Sequence, residues 1–177
     1  MSIHFQHWNN KEKKALSRAK SFKDVAKIYL SVMKHMPQNI HAVSGPMTTG
    51  GVGIREDNIK VFKNVTEILV EDMKLNIISW IPFEFNIRRL LDKWIEVNGK
   101  NAYCTPILEE FYHTIYSSGK VTKVHFIHGW ESSTGARWEH ELCEKLGIER
   151  CYLSPELSQK ALNRKTAGKK VRVSSHK

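Results

Sequence analysis

The fold is decided by the stretch Ile40-His41-Ala42-Val43-Ser44-Gly45-Pro46-Met47-Thr48-Thr49-Gly50-Gly51. A short apolar run that ends in glycine and proline predicts a buried strand followed by a loop. Apolar residues then recur at helical spacing up to Met73, and Asp57 or Asn58 is placed to cap that helix. Residues 76–81 predict a second strand that ends at Pro82. Strand, loop, helix and strand form a βαβ unit, which predicts parallel pairing.

The same alternation continues on both sides of this unit. Residues 10–36 have a helical pattern that Pro37 stops, and Ser21 resembles a capping-box residue within it. Further helices are predicted over residues 83–98, 105–117 and 135–146, and further strands over residues 121–127 and 148–153. Alternating strands and helices favour an α/β sandwich.

The length and composition of the chain fit one soluble domain with appendages. We predict a helical extension over residues 1–37, an α/β domain over residues 38–157 with a helical insertion at about 83–104, and a basic, disordered tail over residues 158–177. Because no apolar run approaches the roughly 20 residues that cross a bilayer and the N-terminus lacks a secretion signal, we predict a cytoplasmic protein without membrane contact.

The net charge of +10 favours an anionic partner. The tail holds part of this excess, and it is either a solvated segment or a contact for nucleic acid. Cysteines 104, 143 and 151 show no pairing or zinc spacing, so they are predicted to be reduced thiols. His125 and His128 point to opposite faces of a strand. We therefore predict neither a metal site nor a cofactor.

The first loop has the composition of a ligand-binding turn. Its glycines let backbone N–H groups approach a ligand closely, and Ser44 and Thr48 add hydroxyl donors. This suits a phosphate or a sugar. The alternative, a flexible connecting turn, is equally compatible with the composition, because the loop has neither the P-loop nor the G-x-G-x-x-G pattern.

The second loop is Gly129-Trp130-Glu131-Ser132-Ser133-Thr134-Gly135-Ala136-Arg137-Trp138-Glu139. It follows a predicted strand and leads into a helix, whose free N–H groups and positive dipole end favour an anion. Ser133 is the predicted phosphate contact, Trp130 is predicted to stack on a base, and Arg137 either pairs with phosphate or is only solvated.

Glu139 lies one helical turn after Gly135, on the same face of the predicted helix. Its chemically sensible use beside an anion site is as a nucleophile at a sugar anomeric carbon. The alternative is a carboxylate that only stabilises the N-terminus of its helix. Trp80 and Trp94 are predicted to belong to the core rather than to a base-stacking site.

Together the two motifs resemble the nucleoside 2-deoxyribosyltransferase-like superfamily, and most of all its small phage and bacterial branch. The resemblance covers residues 40–153 apart from 83–104, and it implies a flavodoxin- or Rossmann-like parallel sheet flanked by helices. It also implies cleavage or exchange of the N-glycosidic bond of a deoxynucleoside or its 5′-monophosphate, in a homo-oligomer. Glu139 falls at the nucleophile, and Ser133 falls where nucleotide N-hydrolases contact the 5′-phosphate. The predicted substrate-binding residues are Ser44, Gly45, Pro46, Met47, Thr48, Gly129, Trp130, Ser133, Gly135 and Arg137.

The chain departs from this family at one position. Thr122 stands about where the branch has an aspartate, so an acidic partner must come from elsewhere. The candidates are Glu84, Asp92, Glu109 and Glu110, among which the sequence does not choose. Without such a partner the chain would be a nucleotide-binding module or a DNA-associated protein rather than an enzyme.

Overall fold

The computed structural model describes residues 2–47, 50–51, 53–99 and 102–164, without the side chain of Phe85. Its centre is a parallel sheet of three strands, β1 (Ile40–Ser44), β2 (Val121–Phe126) and β3 (Glu149–Tyr152), in the order β1-β2-β3. Ser44, Phe126 and Tyr152 are register partners, so the carboxyl ends of the strands lie side by side. Helices flank the sheet, and the fold is the predicted α/β, Rossmann-like arrangement.

The predicted strand over residues 76–81 is reduced to one bridge. Ile77 pairs in parallel with His41, whose N–H donates to Asn76 at 2.8 Å and whose carbonyl accepts from Ile78 at 2.9 Å. The next helix already begins at Ile81, with Pro82 in its first turn. Because proline fits a helix start and cannot donate to a strand, the chain leaves the sheet after Ile78.

Seven helices surround the sheet in the described part of the chain. The structure places α1 at Asn10–Arg18, α2 at Phe22–Met33, α3 at Arg55–Glu71, α4 at Ile81–Asn98, α6 at Thr134–Leu146 and α7 at Pro155–Asn163. Helix α5 consists of a π-helical segment, Ile107–Tyr112, and an α-helical turn, His113–Tyr116. π-helical turns often occur at functional sites, since they displace the side chains around them.

The helix starts confirm some capping predictions and correct others. Ser21 accepts from the N–H of Asp24 at 3.1 Å and opens α2, so the predicted helix over 10–36 is two helices. Helix α3 begins at Arg55, before the predicted caps. The predicted cap Asn58 lies inside α3, buried, and its side-chain amide donates to the Gly50 carbonyl at 2.9 Å. It therefore holds the first loop against the helix.

The N-terminal helices share one hydrophobic core with the sheet domain. Tyr29 of α2 is fully buried, its ring packs against Trp8, Trp80 and Phe111, and its hydroxyl donates to the carbonyl of Ser79 at 3.1 Å. Burying several aromatic rings together excludes water from the segment that precedes α4. The predicted extension therefore supports the position of α4.

The first residues of the predicted tail form a helix. Residues 158–163 belong to α7, which packs on α3: Asn64 donates its side-chain amide to the carbonyl of Ala161 at 2.8 Å. Lys160 pairs with Asp72 at 3.3 Å, and Arg164 pairs with Glu71 at 2.7 Å. Residues 165–177 lie outside the described residues. Within the described ranges, none of the helices has the length and apolarity that crossing a membrane requires.

Candidate active site

A cavity of about 460 Å³ lies at the carboxyl end of β1, between the starts of α3 and α6, the inner face of α4, and α5. Ligands of open parallel sheets bind at this end of the strands. The cavity has a wide apolar wall, formed by Phe62, Trp80, Ile87, Leu91, Ile95 and Leu108. The polar and charged residues of its lining are Arg55, Glu84, Arg88, Asp92, Tyr103, Tyr112, Ser133 and Glu139, and an apolar wall with placed polar groups is typical of a small-molecule site.

Glu139 is the buried carboxylate of this cavity. It lies in the second turn of α6 and is 5 % exposed. The hydroxyl of Ser44 donates to Oε1 at 2.9 Å, and the hydroxyl of Tyr116 donates to Oε2 at 2.5 Å. The carboxylate is thus fixed by the end of β1 on one side and by α5 on the other.

Burial raises the pKa of Glu139 to about 7, although the hydrogen bonds from Tyr116 and Ser44 oppose part of this rise. Burial, and after it the charge of Glu139, raises the pKa of Tyr103, Tyr112 and Tyr116. These three hydroxyls therefore keep their protons near neutral pH. The pKa of Glu139, in contrast, lies near neutral pH, so its carboxyl group can change charge there.

Ser133 and Gly135 bring the start of α6 into the same cavity. Ser133 is buried and caps the helix, since its hydroxyl accepts from the N–H of Ala136 at 3.4 Å. A Cβ added at Gly135 would lie 3.1 Å from the hydroxyl oxygen of Tyr103, so that hydroxyl lies directly over the first turn. The N–H groups at this helix start and the Tyr103 hydroxyl form a set of donors suited to an anion.

The first loop contributes part of its predicted set. Gly45 and Met47 line the cavity, and Ser44 reaches Glu139. A Cβ added at Gly45 would lie 2.8 Å from the Cβ of Ile127, so only glycine permits this close approach of the loop to the end of β2. Pro46 instead lines a neighbouring cavity of about 290 Å³, together with Gly129. Thr48 lies outside the described residues.

Trp130 and Arg137 lie outside the 460 Å³ cavity. The ring of Trp130 stacks on that of His140, with centroids 4.3 Å apart and an interplanar angle of 15°. The guanidinium of Arg137 is used locally, because it donates to the carbonyl of Glu131 at 2.5 Å and to the hydroxyl of Thr134 at 3.3 Å. Some of the residues that the motif predicts near the substrate therefore line the cavity, and others lie on the surface beside it.

Two of the four candidate acidic partners line the cavity, Glu84 and Asp92 of α4. Glu84 is hydrogen-bonded to the guanidinium of Arg55. Burial raises the pKa of Glu84, while the nearby charges of Arg55 and Arg88 oppose this rise. Glu109 and Glu110 are not among the lining residues. The inserted segment therefore supplies two further carboxylates to the cavity.

Thr122 is not part of this site. It lies near the amino end of β2, where its hydroxyl donates to the carbonyl of Ile40 at 3.4 Å. Because the cavity lies at the carboxyl ends of the strands, a carboxylate at this position would lie at the opposite end of the sheet, away from the cavity. The sequence motifs did not identify Tyr103, Tyr116 or Arg55. The only available signal was the pair of tyrosines at 112 and 116, polar groups one turn apart on an apolar helix face.

The histidines of the sheet form no metal site. His41 and His125 share a hydrogen bond of 3.0 Å between ring nitrogens, and burial lowers the pKa of His125 to about 4. Across residues 2–47, 50–51, 53–99 and 102–164, no cluster of three or more His, Cys, Asp or Glu side chains is arranged to hold a metal ion. The three cysteines are free thiols.

Comparisons of the chain with known protein families, with curated proteins and with solved structures found no match. The family resemblance of the two loop motifs therefore stays a prediction. The function is inferred from the geometry of the cavity.

Replacing the buried carboxylate tests its electrostatic cost. The folded-state pKa of Glu139 is raised from 4.5 to about 7, so its contribution to stability is complete below pH 4.5 and is lost as the pH rises through 7. The glutamine of Glu139→Gln does not ionise. We therefore expect the free energy of unfolding of this variant, relative to that of wild type, to be higher at pH 8 than at pH 4.5 by roughly 3 kcal/mol. Urea unfolding at both pH values measures this gain.

The matched control is Glu141→Gln, an exposed carboxylate on the same helix. Its stability difference from wild type should stay the same at both pH values. A difference for Glu139→Gln that is equally constant would contradict the raised pKa.

Proposed function

We propose that the chain hydrolyses or transfers the N-glycosidic bond of a (deoxy)nucleoside 5′-monophosphate, with Glu139 as the nucleophile. The observation that carries the proposal is a single buried carboxylate, held by Ser44 and Tyr116 and exposed to an otherwise largely apolar cavity. A carboxylate fixed by two donors and shielded from water is preorganised to attack one atom of a bound ligand.

The reaction would proceed through a covalent intermediate. A carboxylate oxygen of Glu139 attacks the anomeric carbon, the bond from that carbon to the base nitrogen breaks, and the base leaves with the bonding electron pair and takes up a proton. The resulting glycosyl ester is released when water, or the nitrogen of another base, attacks the same carbon. Each Glu139 oxygen accepts one hydroxyl and keeps a second lone pair for this attack.

The proton for the leaving base would come from Glu84. Glu84 lines the same cavity, and burial raises the pKa of its carboxyl, while the charges of Arg55 and Arg88 oppose this rise. Arg55 holds the carboxyl in position through their hydrogen bond. Asp92 is the less suited candidate, since it is exposed to solvent.

The cavity also suits the rest of a nucleotide. Its volume of about 460 Å³ falls within the range of roughly 300–1,000 Å³ found for small-molecule sites. Ile87 and Leu91 present branched apolar surface to a base, while Ser133 and the start of α6 offer N–H and hydroxyl donors to a phosphate. The resemblance to the deoxyribosyltransferase-like superfamily supports the same arrangement.

Turnover is tested with a panel of deoxynucleoside 5′-monophosphates and the matching nucleosides, by chromatography of free base. Wild type should release base from at least one monophosphate, and Glu139→Gln should lower that rate by at least roughly 10³-fold, because the nucleophile is gone. Glu141→Gln should retain full activity. Addition of a second base separates hydrolysis from transfer. Saturable nucleotide binding without base release would favour a binding module and overturn the proposal.

Tyr116 should set the pH dependence of this activity. The nucleophile must be ionised, so kcat/KM should rise with pH through a midpoint near the Glu139 pKa of about 7. Tyr116→Phe removes a hydrogen bond that lowers this pKa, and its midpoint should therefore move to higher pH. Tyr152→Phe, which changes an exposed tyrosine, should leave the profile where it is. A downward shift for Tyr116→Phe would refute the assignment.

Ser133 should determine whether the site prefers a nucleotide or a nucleoside as substrate. Asp and Asn both preserve a helix-capping oxygen, but only Asp places a negative charge beside the phosphate. We expect Ser133→Asp to lower kcat/KM for the monophosphate by roughly 10²-fold, and to affect the nucleoside much less. Ser133→Asn should keep most of the activity on the monophosphate. Equal losses of both variants on both substrates would show that Ser133 does not contact the phosphate.

A further inference from the structure

The two N-terminal helices carry a concentration of positive charge that the proposed reaction does not use. Residues 1–38 contain eight of the 28 lysines and arginines but only two of the 18 acidic residues. One of those two, Glu12, is buried and satisfied within the fold, since it accepts from Ser31 at 2.8 Å and from the backbone N–H of Asn9 at 3.1 Å. The other, Asp24 of α2, accepts from the backbone N–H of Lys20 at 3.1 Å and is the one acidic side chain on the outer surface of the two helices, where cations predominate.

These cations form one stripe on each helix. The cations of α1 have the spacing i, i+3, i+7, counted from Lys11, and those of α2 have the spacing i, i+4, i+11, counted from Lys23. At about 100° per residue, the members of each stripe lie within an arc of about 60° around the helix axis. We call the two stripes together the basic face; its residues are Lys11, Lys14 and Arg18 of α1, Lys23 and Lys27 of α2, and Lys34, which follows the last residue of α2. All six are exposed, and within the described residues none of them forms an ion pair.

The composition of the basic face favours a phosphate backbone over the other anionic surfaces. A helix that lies in a membrane interface buries an apolar face between the lipids. The large exposed apolar side chains of the described chain, however, are at positions 54, 73, 97, 103, 146 and 152, outside α1 and α2. Protein interfaces are depleted in lysine and enriched in aromatic residues, whereas the basic face has five lysines and no aromatic side chain.

The α2 stripe is also long enough to face several phosphates of a duplex. The α2 stripe, from Lys23 to Lys34, spans about 16 Å at 1.5 Å per residue. Duplex DNA presents about nine phosphate charges over that length, at one charge per roughly 1.7 Å. Lys160 and Arg164 of the predicted tail, in contrast, are paired with acidic residues of α3.

We propose that the basic face of α1 and α2 binds the phosphate backbone of duplex nucleic acid, without reading its sequence. Lysine ammonium groups neutralise phosphates and release their counterions, so the contact is electrostatic and strongly dependent on salt. The inference is independent of the proposed glycosidic reaction.

The test is fluorescence anisotropy of a labelled 20-base-pair DNA duplex with the full-length chain at several salt concentrations. Each lost phosphate contact reduces the slope of log K against log salt by about 0.9. The variant Lys14→Gln/Lys23→Gln/Lys27→Gln should therefore reduce the slope by about 2.7 and weaken binding at least roughly tenfold in moderate salt. Circular dichroism and thermal melting establish that the variant is folded.

Two triple variants remove the same charge elsewhere. Lys60→Gln/Lys93→Gln/Lys145→Gln changes exposed residues on α3, α4 and α6, and it should leave the slope unchanged. Lys165→Gln/Lys169→Gln/Lys170→Gln measures how much of the salt-dependent DNA binding comes from the tail. The proposal is overturned if wild type does not bind the duplex, if the basic-face variant binds with the wild-type slope, or if the control triple lowers the slope equally. Binding to vesicles of anionic phospholipid but not to DNA would also overturn it.

Discussion

The site is organised by the two hydrogen bonds that Ser44 and Tyr116 donate to Glu139. A carboxylate that is nearly inaccessible to solvent is costly unless its oxygens are satisfied. Here the two donors come from β1 and α5, and the carboxylate comes from α6. The same contacts that make the charge tolerable therefore fix the relative positions of a strand and two helices. The raised pKa shows that the compensation is incomplete, which is a common property of groups that function by changing charge.

The cavity around Glu139 depends on parts of the chain that lie outside the two loop motifs. Helix α4 forms its apolar wall and brings Glu84, Arg88 and Asp92 to its edge. The position of α4 depends in turn on the N-terminal helices, because Tyr29 packs against Trp80 and holds the carbonyl of Ser79. The extension and the insertion are thus structural parts of the site. The insertion supplies the carboxylates of Glu84 and Asp92 to the cavity, whereas Thr122 lies at the other end of β2.

The positive charge of the chain lies both at the cavity and on the outer surface of the protein. Inside the cavity, Arg55 is bonded to Glu84, Arg88 is a second cation of the lining, and the start of α6 supplies neutral donors. The largest run of cations without ion pairs among the described residues lies on the outer face of α1 and α2. A small anion is bound best by a few buried, directed donors, whereas a long anionic polymer is bound by many exposed charges. The protein contains both kinds of surface.

The sequence alone determined the layered α/β fold, because burial imposes a period of about two residues on strands and 3.6 residues on helices, and both periods are local. It also determined the position of Glu139 at a helix start, since four residues after Gly135 means one turn. Only the tertiary structure decided that the strand over residues 76–81 stops at one bridge and that Trp130 turns toward His140. It alone brought Ser44 and Tyr116, which are 95 and 23 residues away in the chain, onto Glu139. Such contacts depend on how whole helices pack, and no local spacing of residue types records that.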